Sequence, residues 1–385
     1  MVDNIAAIFI LIDGLGWEYV KDRAFLEDIT VLKGPCRTVL GYSSSAIPTI
    51  LSGKYPSETG HGNYYYYSPE TSLWKWTKWF SWLPLDRIPK IRGWMARYLS
   101  EKSWQWSGYT GYFQHCAIPL KYRWLFDYNE KKSVFNDGLI NGETIFSQLR
   151  KMGIRFFLRT FPAPDREILA AATESIKQRN CRFYFLYLSE MDGVLHEFCK
   201  EPHVIDEKLM WYDQQIRRLF ETSCRSFDQV HLYVFSDHGM TPVIATFDLI
   251  REVGKLRLKI PGDYVAFYDS TMARFWFFKE EARQKITDLL TKLDVGHILS
   301  KDELTRWGVY FPDGKFGHMV FLMNPGYVIC PSYISNSAPN GMHGFTPEDK
   351  WSDAMFMSSI RLENQPRSIL DFYSIMLQEA HHIAK

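Results

Sequence analysis

The chain is predicted to be an α/β protein built on a mainly parallel sheet flanked by helices, with insertions on that scaffold. Three observations carry this expectation. Ile5–Ile12 (IAAIFILI), Arg182–Leu188 (RFYFLYL) and Gln229–Phe235 (QVHLYVF) are largely apolar runs of strand length, the pattern of strands buried on both faces. Helical periodicities lie between them, and such alternation implies parallel strands with crossover helices. Each run also ends in an acidic residue within a turn-forming stretch, Asp13-Gly14, Ser189-Glu190-Met191-Asp192 and Ser236-Asp237-His238-Gly239.

Along the chain, the first strand is followed by a Ser-rich loop that caps a helix from about Ala46. Further helices are expected over Thr144–Met152, Asp165–Gln178 and His203–Phe220, with one more marked by Leu249, Ile250 and Val253. Ile154–Leu158 reads as an extra strand. Two stretches break the alternation. From Tyr64 to about Tyr128 the periodicity is poor and Pro84, Pro89 and Pro119 intervene. From Leu256 to Tyr333 there is a strand-like Met272–Phe278 and a helix near Glu280–Leu293. The expected division is therefore a core of 1–63, 134–255 and 334–385, an aromatic-rich basic cap at 64–133, and a small α+β insertion at 256–333.

Composition excludes several classes. Of 385 residues 46% are hydrophobic and 23% charged, so a sizeable core is expected and disorder is not. Forty-five basic and forty-four acidic residues leave a net charge of +1, with no signature of a specific nucleic-acid binder. The longest apolar run, Ile5–Ile12, is too short to cross a bilayer, and no basic region precedes it as in a signal peptide. Six scattered cysteines without C-x-x-C spacing read as free thiols, which makes the cytoplasm the expected location.

If the strands are parallel, Asp13, Asp192 and Asp237 gather on the rim where open α/β sheets bind ligands. Asp192 and His196 are four apart, on one face of a helical turn. Asp237 and His238 follow a strand directly. Carboxylate with imidazole suits zinc, then manganese, iron or cobalt. Singly, each pair has an ordinary reading, a turn for Asp-Gly and a solvated helix face for D-x-x-x-H. His231, His297 and His318 are expected to be satisfied locally.

The segment Gly41–Gly62 (GYSSSAIPTILSGKYPSETGHG) resembles the nucleophile segment of the alkaline phosphatase superfamily, which places its nucleophile ten residues before the Gly of an apolar-apolar-[ST]-Gly-x-x-Pro stretch. Ile50–Pro56 supplies that stretch, and the count from Gly53 reaches Ser43, not Ser44 or Ser45. The type I phosphodiesterase/nucleotide pyrophosphatase branch is similar in its other motifs. They match Asp13, Asp192 with His196, Ser236–Met240 with Asp237 and His238, and Gly341–Gly344 with His343. The resemblance implies an alkaline-phosphatase-like fold and two divalent metal ions, zinc before manganese. One would be held by Asp13, Asp237, His238 and Ser43, the other by Asp192, His196 and His343. It implies a hydrolase that cleaves a phosphodiester or phosphoanhydride through a covalent phospho-Ser43. The chain departs from the nucleotide pyrophosphatases after the nucleophile, having Ser44-Ser45-Ala46 where they have Phe-Pro-Asn. It lacks the Pro and Arg of a sulfatase, with Ser45 and Ile47 in their places.

Aromatic residues reach 16%, and eight of thirteen tryptophans fall between Trp74 and Trp124. That stretch carries nine Lys and Arg against Asp86 and Glu101. Trp, Tyr and cations together suit a sugar, a nucleobase or an anionic lipid interface, so peripheral membrane contact is one expectation. The aromatics equally suit the insertion's own core. Tyr64, Tyr65, Trp76 and Trp79 are the expected substrate contacts, the substrate being a small phosphate ester with a glycan or nucleotide attached. A phosphomonoesterase or phosphonate hydrolase with the same metals is the nearest alternative, and a non-catalytic glycan- or membrane-surface-binding protein a remote one. The oligomeric state has no signature in the sequence.

Overall fold

The computed structural model describes residues 4–81, 98, 101–112 and 116–385. Expectations resting on Pro84, Asp86, Arg87, Pro89, Lys90, Arg92 and Arg97 lie outside them. The central sheet has six strands: β1 (Ile5–Ile12), β2 (Leu32–Cys36), β3 (Phe156–Arg159), β4 (Phe183–Leu188), β5 (Gln229–Phe235) and β6 (Ala354–Ser358). Their spatial order is β2-β6-β5-β1-β4-β3. β1 pairs in parallel with both β4 and β5, and β3 in parallel with β4; β6 runs antiparallel between β5 and β2.

The alternation of side chains along β1 explains why its whole length is apolar. Ala6, Ile8, Ile10 and Ile12 enter one core, against α3 (Asp165–Lys177), α4 (Glu190–Phe198) and α5 (Pro202–Ser226). Ala7, Phe9 and Leu11 enter a second core, against α1 (Ser43–Ser52), α2 (Ile145–Lys151) and α6 (Phe372–Ala384). Each fully buried Ile or Phe here contributes roughly 1.5–3 kcal/mol. Both faces being covered, the strand ends are the only open rim of the central β5-β1-β4 strands.

A four-stranded antiparallel sheet, in the order Tyr264–Tyr268, Met272–Phe277, Met319–Met323, Gly296–Ile298, lies apart from the first. Its core also takes in Tyr65, Trp74, Trp104, Phe126 and Tyr128. The two inserted stretches thus share one aromatic core. Buried Arg274 ties them: its Nε donates to Asp269 Oδ2 at 2.9 Å and its Nη1 to the Tyr65 carbonyl at 2.6 Å. No helix among the described residues is long and apolar enough to cross a membrane.

The three histidines expected to be locally satisfied are so. His318 Nδ1 accepts the Phe277 N–H at 3.1 Å, and His297 Nε2 lies 3.2 Å from Glu303. His231 Nδ1 stands 2.9 Å from Glu379 Oε1, which also accepts the Tyr233 hydroxyl at 2.6 Å. This network pins α6 to β5. Burial works against the Glu379 carboxylate, but these two hydrogen bonds hold its pKa below the ordinary value. Glu379→Ala should therefore cost about 2–4 kcal/mol in urea unfolding, since it strands the buried Tyr233 hydroxyl and the half-buried His231 imidazole. Because the folded pKa is the lower one, the wild-type advantage should be full above the unfolded value of about 4.3 and fade as pH falls below it.

Candidate active site

Three adjacent parallel strands deliver the acidic residues to one rim. Asp13 follows β1 and is fixed by its own N–H, which donates to the Leu188 carbonyl at the end of β4 at 2.9 Å. Asp192 and His196 stand one turn apart on α4, directly after β4. Asp237 and His238 follow β5, where Gly14 N–H donates to Asp237 Oδ1 at 3.1 Å and Thr38 Oγ1 to the Asp237 carbonyl at 2.7 Å. Ser43 opens α1, and His343 sits just past the Gly341–Met342 strand that pairs with Thr241–Pro242.

All seven residues meet. Ser43 Oγ lies 3.0 Å from His238 Nε2, which is 3.2 Å from Asp237 Oδ2 and 3.5 Å from Asp13 Oδ1. His196 Nε2 is 3.4 Å from Asp192 Oδ2, and His343 Nε2 is 3.6 Å from Asp192 Oδ1. The His238 and His343 rings stack at 3.8 Å. Ligand atoms of Asp192, His196 and His343 lie within 4.8 Å of one another, as do those of Asp13, Asp192 and His238. Asp192 thus stands between the two groups, whereas the resemblance gave it to one alone.

The donor set fits divalent cations. Asp13 Oδ1, Asp192 Oδ1 and Asp237 Oδ2 are buried and receive no hydrogen bond, an arrangement that costs several kcal/mol per charge without a countercharge. Burial, then the charges of Asp237 and Asp192, push the Asp13 carboxyl well up, and burial with Asp192 lifts Asp237 to about 7. Burial opposes the Asp192 charge, yet the His196, His343 and His238 imidazoles hold its pKa low. The cluster is short of positive charge. The histidines are oriented for ligation as well: His238 Nδ1 donates to the Gly239 carbonyl at 2.9 Å and His196 Nδ1 to the Gly341 carbonyl at 2.8 Å. Protons on both Nδ1 atoms leave Nε2 free in the neutral rings.

Sequence reasoning missed the supporting residues. The Tyr187 hydroxyl donates to Asp13 Oδ2, and Asp165 accepts the N–H groups of Ser189 and Glu190 at the start of α4, at 2.9 and 3.3 Å. Tyr187 is masked inside an apolar run, and Asp165 reads simply as the first residue of a helix.

A cavity of about 1110 Å³ opens over the cluster. Tyr64 lines it, as expected. Tyr65, Trp76 and Trp79 are not among its described lining residues. Tyr65 faces away from Tyr64 along the short strand and stacks on Phe267 at 5.3 Å. Trp76 and Trp79 lie on the 3₁₀ turn Lys75–Phe80, with Trp79 81% exposed, outside the cavity wall. Nor do Lys75, Lys78, Lys102, Lys121 or Arg123 line it; the described lining residues of the 64–133 insertion are Tyr64, Thr110, Gly111, Tyr112, Glu130 and Ser133.

The family model described as type I phosphodiesterase/nucleotide pyrophosphatase matches residues 7–346. No curated protein matches in sequence. Among solved structures, murine ectonucleotide pyrophosphatase/phosphodiesterase 5 is similar at a TM-score of 0.69 and 14% identity, over 98% of this chain and 95% of that one. The human counterpart gives 0.68 and 11%, with the same coverage. An inactive form of the murine protein in complex with AMP gives 0.64 and 16%, again over 98% and 95%. At these identities the likeness is one of fold, the alkaline-phosphatase-like fold.

Gly14 makes the geometry testable. Its φ is +73°, and an added Cβ would sit 3.0 Å from Asp192 Oδ1 and 3.1 Å from the Asp192 Cα. Gly153 has nearly the same φ, +69°, but open space around it. Both Ala variants should lose about 1–2 kcal/mol of stability from left-handed strain. Only Gly14→Ala should also lower turnover, by tenfold or more, when both are assayed at a temperature where they are folded.

Proposed function

The chain belongs to the type I phosphodiesterase/nucleotide pyrophosphatase family, a family of phosphoric ester hydrolases, and we propose that it cleaves a phosphodiester or phosphoanhydride at a site for two divalent cations through a phosphorylated Ser43. The observation that carries this reading is the clustering of three carboxylates and three imidazoles, with His238 in contact with the Ser43 hydroxyl and three buried carboxylate oxygens receiving no hydrogen bond. Asp13, Asp237, His238 and Ser43 would hold one ion and Asp192, His196 and His343 the other, with Asp192 near both. When bound, such ions supply positive charge to the phosphate oxygens and ease deprotonation of a hydroxyl. Imidazole with carboxylate favours zinc, with manganese next.

Ser43 is at the N-terminus of a ten-residue helix, where backbone N–H groups favour an anion. Its neighbours differ. Ser45 Oγ donates to the Gly62 carbonyl at 3.0 Å, and Ser44 is 5% exposed. Ser43 Oγ bonds to phosphorus as the bond to the departing alcohol breaks and that alcohol takes up a proton. Water then opens the seryl phosphate and returns a proton to Ser43. Tyr187 holds Asp13 in place throughout, and Asp165 holds the start of α4.

A diester is favoured over a monoester. Among the described residues lining the cavity there is no Lys or Arg to meet the extra charge of a monoester. AMP in the murine complex brings nucleotide-linked esters into the first substrate screen. The division into a core and accessory segments 64–133 and 256–333, and the cytoplasmic setting, belong to the same proposal; the shared aromatic core supports the former and six free thiols the latter.

Ser43→Ala should cut turnover of bis(p-nitrophenyl) phosphate by at least 10³-fold, about 4 kcal/mol, while Ser44→Ala and Ser45→Ala keep measurable activity. Native mass spectrometry of the zinc- or manganese-reconstituted protein should give two ions per chain. A dead Ser44→Ala beside an active Ser43→Ala would move the nucleophile by one residue. Faster turnover of p-nitrophenyl phosphate than of the diester would favour the monoesterase reading.

A further inference from the structure

No tryptophan is among the described residues lining the cavity, and the fold divides those of the basic stretch into two sets. Trp74 and Trp104 are buried in the core shared with the second sheet. Trp76, Trp79 and Trp106 are exposed, the last two at 81% and 82%. The 3₁₀ geometry of Lys75–Phe80 produces the division in the first segment. With three residues per turn, positions i and i+3 eclipse, so Trp74-Lys75-Trp76-Thr77-Lys78-Trp79 forms three ridges. Trp74 and Thr77 make the buried ridge; Lys75 with Lys78 and Trp76 with Trp79 make a basic and an aromatic ridge facing outward. In the helical residues 101–107, Trp104 and Trp106 are separated by about 200° around the axis, so burial of the first turns the second to solvent. The two segments are rooted side by side. The Trp74 ring lies 5.9 Å from Tyr65 and the Trp104 ring 4.9 Å from Tyr128, and those two tyrosines are 5.0 Å apart.

The charges on this face are of one sign. Among the described residues of 74–124, Lys75, Lys78, Lys102, Lys121 and Arg123 stand against Glu101 alone, with exposed Glu70 just before them. Arg123 is buried, 5.5 Å from the Trp74 ring, so the surface presents lysines. They are interleaved with the aromatics. Leu120–Arg123 packs on the 3₁₀ turn, Lys78 Nζ stands 4.8 Å over the Trp124 ring and Lys121 Nζ 4.6 Å over Tyr122. Every exposed large hydrophobic residue in the described part of 64–133 is aromatic: Trp76, Trp79, Tyr98, Trp106 and Tyr112. Protein interfaces enrich Arg and deplete Lys, which is the reverse of this surface. Trp and Tyr mixed with Lys are instead the composition of a layer between water and hydrocarbon, where the ring is buried among headgroups and the ammonium meets lipid phosphate.

We propose that Trp76, Trp79 and Trp106, with Lys75, Lys78, Lys102 and Lys121, dock the protein on an anionic phospholipid surface. The contact is independent of the hydrolytic reading, since none of these residues lines the cavity or belongs to the metal-ligand cluster. With no membrane-crossing helix among the described residues, the attachment is peripheral, reversible and weakened by salt.

Co-sedimentation of the full chain with two sets of vesicles tests it, one of phosphatidylcholine alone and one of phosphatidylcholine and phosphatidylglycerol in equal parts. The wild type should bind the anionic vesicles at least tenfold more tightly than the neutral ones, and added salt should remove most of that difference. Trp79→Ala/Trp106→Ala should weaken binding to the anionic vesicles at least tenfold, and Lys75→Gln/Lys78→Gln by about fivefold per lysine. Met210→Ala, which truncates an exposed apolar side chain on α5, should bind as the wild type does. A wild-type Tm shows each variant to be folded, and the comparison of the two lipids needs no variant. Wild-type binding that is absent, or equal on both vesicle sets, would overturn the docking surface, as would equal binding by the wild type and the folded tryptophan variant. A dimer in sedimentation velocity that the tryptophan variant dissociates, without vesicle binding, would overturn it in favour of a contact between two copies.

Discussion

Three carboxylates are driven together by the sheet, and the rest of the site answers that repulsion. β5, β1 and β4 are adjacent and parallel, so Asp237, Asp13 and Asp192 leave their strands on one rim at nearly one level. Both sheet faces are covered by helices, which leaves Asp13 and Asp237 little water to solvate them. Like charges at such separations in a poorly solvated site repel by several kcal/mol. Hydrogen bonds from Gly14, Thr38 and Tyr187 position the group but add no positive charge. Only imidazoles and cations can, and three histidines face the cluster.

The histidines come from three unrelated places, and one of them depends on the second sheet. His343 follows a two-residue strand with little support of its own. Its neighbour Gly344 gives its carbonyl to Thr271 Oγ1 at 2.9 Å, and Thr271 Oγ1 lies 2.9 Å from the Tyr42 hydroxyl. Tyr42 precedes Ser43 and meets the His343 ring edge-on at 5.5 Å. A single polar chain therefore links the four-stranded sheet, the candidate nucleophile and the last histidine. Close backbone contact completes the frame, since a Cβ on Gly16 would fall 2.5 Å from the Gly239 Cα. The turn between the first two strands of the four-stranded sheet thus braces the segments that carry Ser43 and His343, and its Ser270 lines the cavity.

What was legible in the sequence follows from how each part is buried. β1, β4 and β5 are covered on both faces and announce themselves as apolar runs, so the rim and its acids could be read directly. The edge strand β3 was legible too, as Ile154–Leu158, but β2 and β6 were not. β2 (LKGPC) is an edge strand, where Pro35 is tolerated because no ladder bond is lost on its open side, and Gly34 with Pro35 imitates a turn. β6 (AMFMS) is short and antiparallel, and its run carries no turn signature of a strand end. In the insertion, composition revealed that aromatics matter but not which way they face. Tyr64 and Tyr65 are chemically identical neighbours, and only strand alternation separates one in the cavity from one in the core. The basic count misled for a related reason, since net charge over a segment carries no information on which side chains reach the cavity.

Glu130 is the sharpest case. In the run Asn129-Glu130-Lys131-Lys132 an acid beside two lysines reads as part of a solvated surface. The fold separates them. Lys131 turns to Asp127, whose carboxylate is fully buried, while Glu130 turns inward. The same rotation that pairs one buried acid with a lysine leaves the other with the Tyr112 N–H as its donor.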